Sequence, residues 1–390
     1  MNTLPPRMVT KLKCLDSVRG IASLVVVLSH LSLVYFIYLH NIDGGKIPAK
    51  FPVQNYIHNS IFAFLYSGTS AVFIFFVMSG IVLSRGIEKK TDGYYYLTSF
   101  TRYFRLAIPA TFSCLLMFVI LFYISGSNYN LPGASEWLNS FIIANPTLIG
   151  AFLYGAIGSF LGVPVWDGQA YNPVLWTMKI ELIGSLYVYM ACILLKRNKI
   201  LSLAVFLIAS LALLPFNVTM GLSMVCFYCG FIYSVFNINY KNNFLGILLI
   251  IVGFYFAGIH NDSSSYEWIT KFLKKHSYLI LNFLSGIFIV YGVLISSVIS
   301  HILEKKWFVY LGKLSFPIYI IHMPVIILTI YLTRDFANDS VVSMLAVSAA
   351  SIFFSIVLAR FVVPVDDFSI SFSKAVYNKI TRLGRFRKTS

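Results

Sequence analysis

The sequence predicts an all-α protein, a polytopic bundle of about ten transmembrane helices with both termini on the cytoplasmic side. Three observations lead there. Apolar residues make up 58% of the 390 and charged residues only 11%, well below the roughly 25% charged of a soluble domain. Apolar windows of about 20 residues, long enough to cross ~30 Å of hydrocarbon, recur along the chain. Basic residues collect in alternate connecting segments, as the positive-inside rule requires.

The windows run, in order, over 20–40, 59–84, 106–125, 171–195, 200–215, 217–237, 243–259, 277–303, 307–331 and 341–363. None alternates with the two-residue period of a barrel strand, so each is read as a helix. The first holds His30 within its apolar run and lacks a small-x-small cleavage site, which marks a retained span rather than a signal peptide. The fifth is short, and a tilted or partly buried element fits it. Between the third and fourth, residues 126–170 carry GSNYNLPGASEW and GVPVWDGQAYNP, a composition suited to an interfacial or re-entrant cap on the outer face. Past a transmembrane domain over 1–363, Phe372, Val376, Ile380 and Leu383 fall at helical spacing among Lys374, Lys379, Arg382, Arg385, Arg387 and Lys388. That pattern predicts a basic amphipathic tail over 364–390 lying on the anionic cytoplasmic leaflet.

With the N-terminus inside, most of the 30 Lys and Arg fall in inner segments, among them Arg7, Lys11, Lys13, Lys89 and Lys90, whereas Lys46, Lys50, Lys271, Lys274, Lys275 and Arg334 fall outside. The net charge of +16 is then a topology signal, and no nucleic-acid partner follows from it. Cys14, Cys114, Cys192, Cys226 and Cys229 lack the paired spacing of a zinc or disulfide site and read as packing residues. No inverted repeat of the transporter kind is visible.

Ionisable groups within apolar spans are costly, which makes each one a candidate for function. In RGIASLVVVLSH, Arg19 and His30 are eleven positions apart, about 16 Å along the helix and some 20° past three full turns. They share a face at two depths, an arrangement for one elongated ligand gripped at an anionic end and reacted upon at the other. The plainer reading is an interfacial anchor and a polar residue bonded to a neighbouring helix. Arg102 and Arg105 in RYFR present two guanidinium groups on one face, well matched to phosphate oxygens. At the end of a span, interfacial anchoring explains them equally. Ser79 and Gly80 in FFVMSG permit close helix approach, which is their structural reading. Glu181 lies about 15 Å deep, near the depth of His30, and must be protonated, paired or turned to a polar cavity. In WFVYLGKLSFPIYIIHMPV, Pro317 and Pro324 permit kinks while Tyr319 and His322 share a face. Trp307 and Lys313 fit interfacial roles there.

Taken together these segments resemble the acyltransferase-3 family of integral-membrane acyltransferases, in its stand-alone form without a soluble esterase-like domain. LDSVRGIASLVVVLSH, FFVMSG, RYFR, LWTMKIE and LGKLSFPIYIIHMP carry the resemblance in the family's order. Thr177 stands where the family usually has Ser after Trp176, and Phe316 where a Tyr is common. The resemblance implies O-acyl transfer from cytoplasmic acyl-CoA, acetyl-CoA first, to a hydroxyl of a sugar or glycolipid of the cell envelope such as lipopolysaccharide, in a bacterial inner membrane. It needs no metal. Arg19, Arg102 and Arg105 would then hold the CoA phosphates, with Ser79 in the same pocket. His30 would be the general base, Glu181 would orient its ring, and Tyr319, His322 and Trp176 would face the acceptor. A proton-coupled transporter or lipid-linked-sugar carrier is the alternative that buried His and Glu also allow.

Overall fold

The computed structural model describes residues 12–40, 47–87, 90–125, 131, 133–335 and 339–386. Arg7, Lys11, Lys46, Lys89, Arg387 and Lys388 of the charge pattern lie outside these, as do residues 126–130 of the outer segment. Among the described residues all regular structure is helical. Eleven apolar helices carry it: α1 Lys13–Tyr35, α2 Gly68–Ser84, α3 Asp92–Ser125, α4 Leu148–Leu161, α5 Trp176–Leu195, α6 Lys199–Leu211, α7 Val218–Val235, α8 Asn243–Ala257, α9 Ser277–Ile295, α10 Lys306–Thr333 and α11 Val341–Phe386.

Each of the ten windows falls on one of these helices, but among the described residues only seven helices are long and apolar enough to cross a membrane. The windows 59–84, 200–215 and 243–259 yield α2, α6 and α8, of 17, 13 and 15 residues, or roughly 26, 20 and 23 Å. The losses have local causes. Residues Ile61–Tyr66 wind as a 3-10 turn before α2 begins. Asn198, Asn217 and Asn242 each accept a backbone N–H at the start of α6, α7 and α8, fixing where those helices begin. The window 277–303 breaks at Ser296, whose hydroxyl caps a separate helix, Ser297–Leu303. The outer segment contributes α4, apolar and widened by a π-helical turn at Tyr154–Gly158.

No break falls at 363–364. α11 runs through Pro364 for 46 residues, and its distal half lies along α3, with Phe372 against Phe104 and Tyr377 near Tyr94. The segment expected as a separate tail is thus, as far as Phe386, the continuation of the last helix.

α1 and α10 pack along one another at the centre. Gly20 and Gly312 set their separation, since a Cβ on Gly312 would stand 2.2 Å from the Asp16 carbonyl oxygen. Gly80 and Gly230 do the same for α2 and α7, where added Cβ atoms would lie 2.2 Å from Phe227 O and 2.1 Å from Val77 O. The prolines of α10 have a structural use as well. Pro324 has no N–H to give the Ile320 carbonyl, and that oxygen instead accepts from Ser113 Oγ at 2.7 Å and Asn172 Nδ2 at 2.9 Å. α10 is tied to α3 and to the start of α5 by its own defect.

Candidate functional site

A cavity of about 260 Å³ opens among α1, α2, α3, α5 and α10, with Arg19, Ser79, Arg102, Arg105, Glu181 and Tyr319 in its wall. A wider one shares Arg19, Arg105, Ser315 and Phe316 with it and adds Lys13, Lys306 and Lys313 toward the basic end of the helices. Four of the expected donor-site residues, Arg19, Ser79, Arg102 and Arg105, therefore meet in one place.

Their partners differ from expectation. Arg102 and Arg105 are not at a helix end, because α3 begins ten residues earlier at Asp92. Arg102 donates through Nη2 to Glu181 Oε1 at 2.6 Å and through Nε to Ser185 Oγ at 3.0 Å, and Ser79 Oγ donates to the same carboxylate oxygen at 2.9 Å. Glu181 is thus a paired carboxylate at the arginine-lined cavity. No hydrogen bond joins it to either histidine among the described residues, which corrects its expected role as the group orienting His30. Arg105 points the other way and pairs with Asp366 at 2.5 Å and Ser369 Oγ at 2.7 Å, both on α11. The only sequence signal for Asp366 is an acidic residue at the edge of a basic segment, too common a pattern to single it out. Trp176 is 46% exposed and does not line the cavity. Thr177, one residue and 100° further around α5, takes the inward position.

His30 and His322 form a pair. His322 Nδ1 lies 2.7 Å from Tyr319 O and 3.2 Å from Ile318 O. Carbonyl oxygens only accept, so Nδ1 carries the hydrogen and, in the neutral ring, Nε2 is an acceptor. That Nε2 lies 2.9 Å from His30 Nδ1. His30 must then donate through Nδ1, which leaves its own Nε2 as a bare lone pair. Backbone carbonyls two hydrogen bonds away fix which nitrogen is basic.

On its other face the His30 ring stacks on Trp137, centroids 5.5 Å apart and planes within 12°. Trp137 belongs to a short helix, Glu136–Asn139, anchored to the end of α1 by Ser135, whose N–H and hydroxyl donate to Val34 O and Leu33 O. Its composition marks this segment as an outer cap, but nothing in the sequence singles out Trp137.

Neither histidine lines the arginine-lined cavity. Its wall nearest them is Tyr319, whose ring centre is 6.0 Å from that of His322. Tyr319 donates to Val174 O at 2.9 Å, lies 2.8 Å from Thr177 Oγ1, and has Phe75 edge-on at 5.8 Å. The expected passage from the arginines to His30 is interrupted at this ring.

The profile of the Acyltransferase domain family, acyltransferase-3, matches residues 12–360. The chain belongs to this family. Among curated proteins, the chain is similar to the O-acetyltransferase PaAT-1 of Phomopsis amygdali, 28% identical in an alignment of 245 positions that covers 56% of this chain and 45% of that protein. The chain thus spans less than half of that relative's length. No solved structure matches it.

Proposed function

We propose that this acyltransferase is a multi-pass membrane O-acyltransferase that moves an acyl group, acetyl first, from acyl-CoA to a hydroxyl of a sugar or glycolipid. The observation that carries the reading is the His30–His322 pair, with one imidazole lone pair freed for use close behind an arginine-lined cavity. Arg19, Arg102 and Arg105 supply the phosphate-matching charge, and the mouth adds Lys13, Lys306 and Lys313. The basic end would face the cytoplasm, where acyl-CoA is found.

In this scheme His30 Nε2 removes the proton of the acceptor hydroxyl as its oxygen attacks the thioester carbonyl. The C–O bond forms, the C–S bond breaks, and the proton passes to the departing thiolate to give free CoA thiol. His322, accepting from Nδ1, stabilises the transient imidazolium, the part a carboxylate plays in a Ser-His-Asp triad. Glu181 keeps Arg102 aimed at the cavity rather than assisting His30.

The test is release of CoA thiol by purified protein given acetyl-CoA and a panel of glycan acceptors. His30→Ala should abolish acceptor-dependent release while expression and membrane insertion persist. Arg105→Ala should mainly raise KM for the donor, as expected for lost ground-state binding. Full release by the His30→Ala protein would overturn the assignment.

A further inference from the structure

The arginine-lined cavity does not reach the histidine pair, and Tyr319 in its wall stands next to His322. We propose that Tyr319 is a door, held shut by Thr177, that must swing for an acyl group to reach His30; this rests on the acyl-transfer reading above. Tyr319 lines the cavity, is 6% exposed, and has its hydroxyl fixed by two groups of one short stretch, Thr177 Oγ1 and Val174 O. Behind it stands His322. The door can move without disturbing the base, because His322 is held by the backbone carbonyl of Tyr319 and not by its ring. Rotation about its side-chain torsions would move the ring without moving that carbonyl.

A closed door has a chemical use. His30 is only half-buried and meets Trp137 of the outer segment, so water reaching its Nε2 could take the place of the acceptor. Hydrolysis would then break the C–S bond, join water oxygen to the acyl carbon and return the proton to the thiolate, wasting the donor. Keeping the thioester on the far side of Tyr319 until the acceptor is in place prevents this. The same picture explains what Thr177 does where the family usually has Ser, since its hydroxyl is the latch.

The door can be tested apart from activity. In vesicles with the basic mouth outward, a membrane-impermeant methanethiosulfonate reagent is offered to the His30→Cys protein, and modification at residue 30 is read by peptide mass spectrometry. Adding Thr177→Val, which keeps the shape and removes the hydroxyl, should speed modification about fivefold, the effect of one lost hydrogen bond on a two-state equilibrium. Thr177→Ser should stay within about twofold of the parent on the same footing. A Ser79→Cys probe in the cavity wall should label equally in all backgrounds. If Thr177→Val perturbs that control, Tyr319→Phe removes the bonds to both Thr177 and Val174 O and should accelerate modification at least as much. Parental rates at residue 30 for Thr177→Val and Tyr319→Phe overturn the door. A wild-type protein that releases no thiol from any acyl-CoA overturns the acyl-transfer reading instead, and the labelling comparison stands without it.

Discussion

His30 has a base because His322 has a hydrogen-bond acceptor, and His322 has that acceptor because its Nδ1 is spent on the carbonyls of its own helix. Replacing His322 by Phe takes away the acceptor that holds the His30 Nδ1–H, freeing the ring to turn or to exchange tautomers. kcat should fall by roughly 10²–10⁴, the span of a general-base contribution, while KM for acyl-CoA holds, since neither histidine lines the arginine-lined cavity proposed for the donor. His322→Gln retains a side-chain carbonyl that can accept, and should recover part of the loss. A parallel rise in KM would instead place His322 among the donor-binding groups. The two histidines are legible in the sequence as separate candidates, because each is a costly polar group in an apolar run. Their partnership is not: they lie 292 positions apart, and depth alone makes Glu181 look an equal partner. What removes Glu181 from that role is Arg102, whose guanidinium reaches across from another helix, a contact that hydropathy cannot register.

The histidine pair depends on how closely α1 and α10 approach, and two glycines set that approach. A methyl group on Gly312 would meet the Asp16 backbone oxygen and carbon at 2.2 and 2.4 Å, with no flexible side chain to yield. Gly312→Ala must therefore push the helices apart. The expected result is a loss of stability of about 1–3 kcal/mol, typical of overpacking, accompanied by a larger loss of kcat than that instability explains, because the 2.9 Å bond between the rings opens. Melting of the detergent-solubilised protein, compared with turnover at a temperature where the variant is fully folded, separates the two effects. Wild-type kcat in a destabilised variant would show that the ring contact tolerates the shift. At this scale the existence of helices is readable in the sequence and their ends are not. Loops here are nearly as apolar as spans, as in Ile37–His40 and Ile61–Tyr66, so a hydropathy window runs over them. Likewise the apolar window ends at 363, yet α11 runs on through Pro364 and brings Asp366 to Arg105.

Across the whole molecule, groups of opposite habit gather at opposite ends: arginines and carboxylates at the basic mouth, histidines beyond the end of α1. There His58 donates to two acceptors, the Leu39 carbonyl at 3.2 Å and Asp262 Oδ1 at 3.1 Å, which requires both ring nitrogens to be protonated. Burial pulls its pKa down, but the bond to Asp262, the carboxylate charge and the Leu39 carbonyl together leave it raised above 6.5. His260 stacks on His58 at 4.9 Å, and His40 meets His260 edge-on at 6.0 Å, beside Tyr66 and Ser32. Burial, with the neighbouring histidines, holds His40 and His260 down at about 3. The signs oppose. The contribution of His58 is complete below pH 6.5 and is lost as pH rises through its raised value. The contributions of His40 and His260 are complete above pH 6.5 and are lost as pH falls toward 3, because the opened segments bind protons that the closed ones refuse. This cap should therefore be most stable near pH 6.5. Hydrogen exchange over residues 47–66 and 258–266, corrected for the intrinsic rate, should show the greatest protection there and less at about pH 5 and about pH 8. His58→Gln should abolish the alkaline limb and keep the acid one; protection that is flat across this range, or an alkaline limb that survives in the variant, would show that the ion pair with Asp262 does not hold the two segments together.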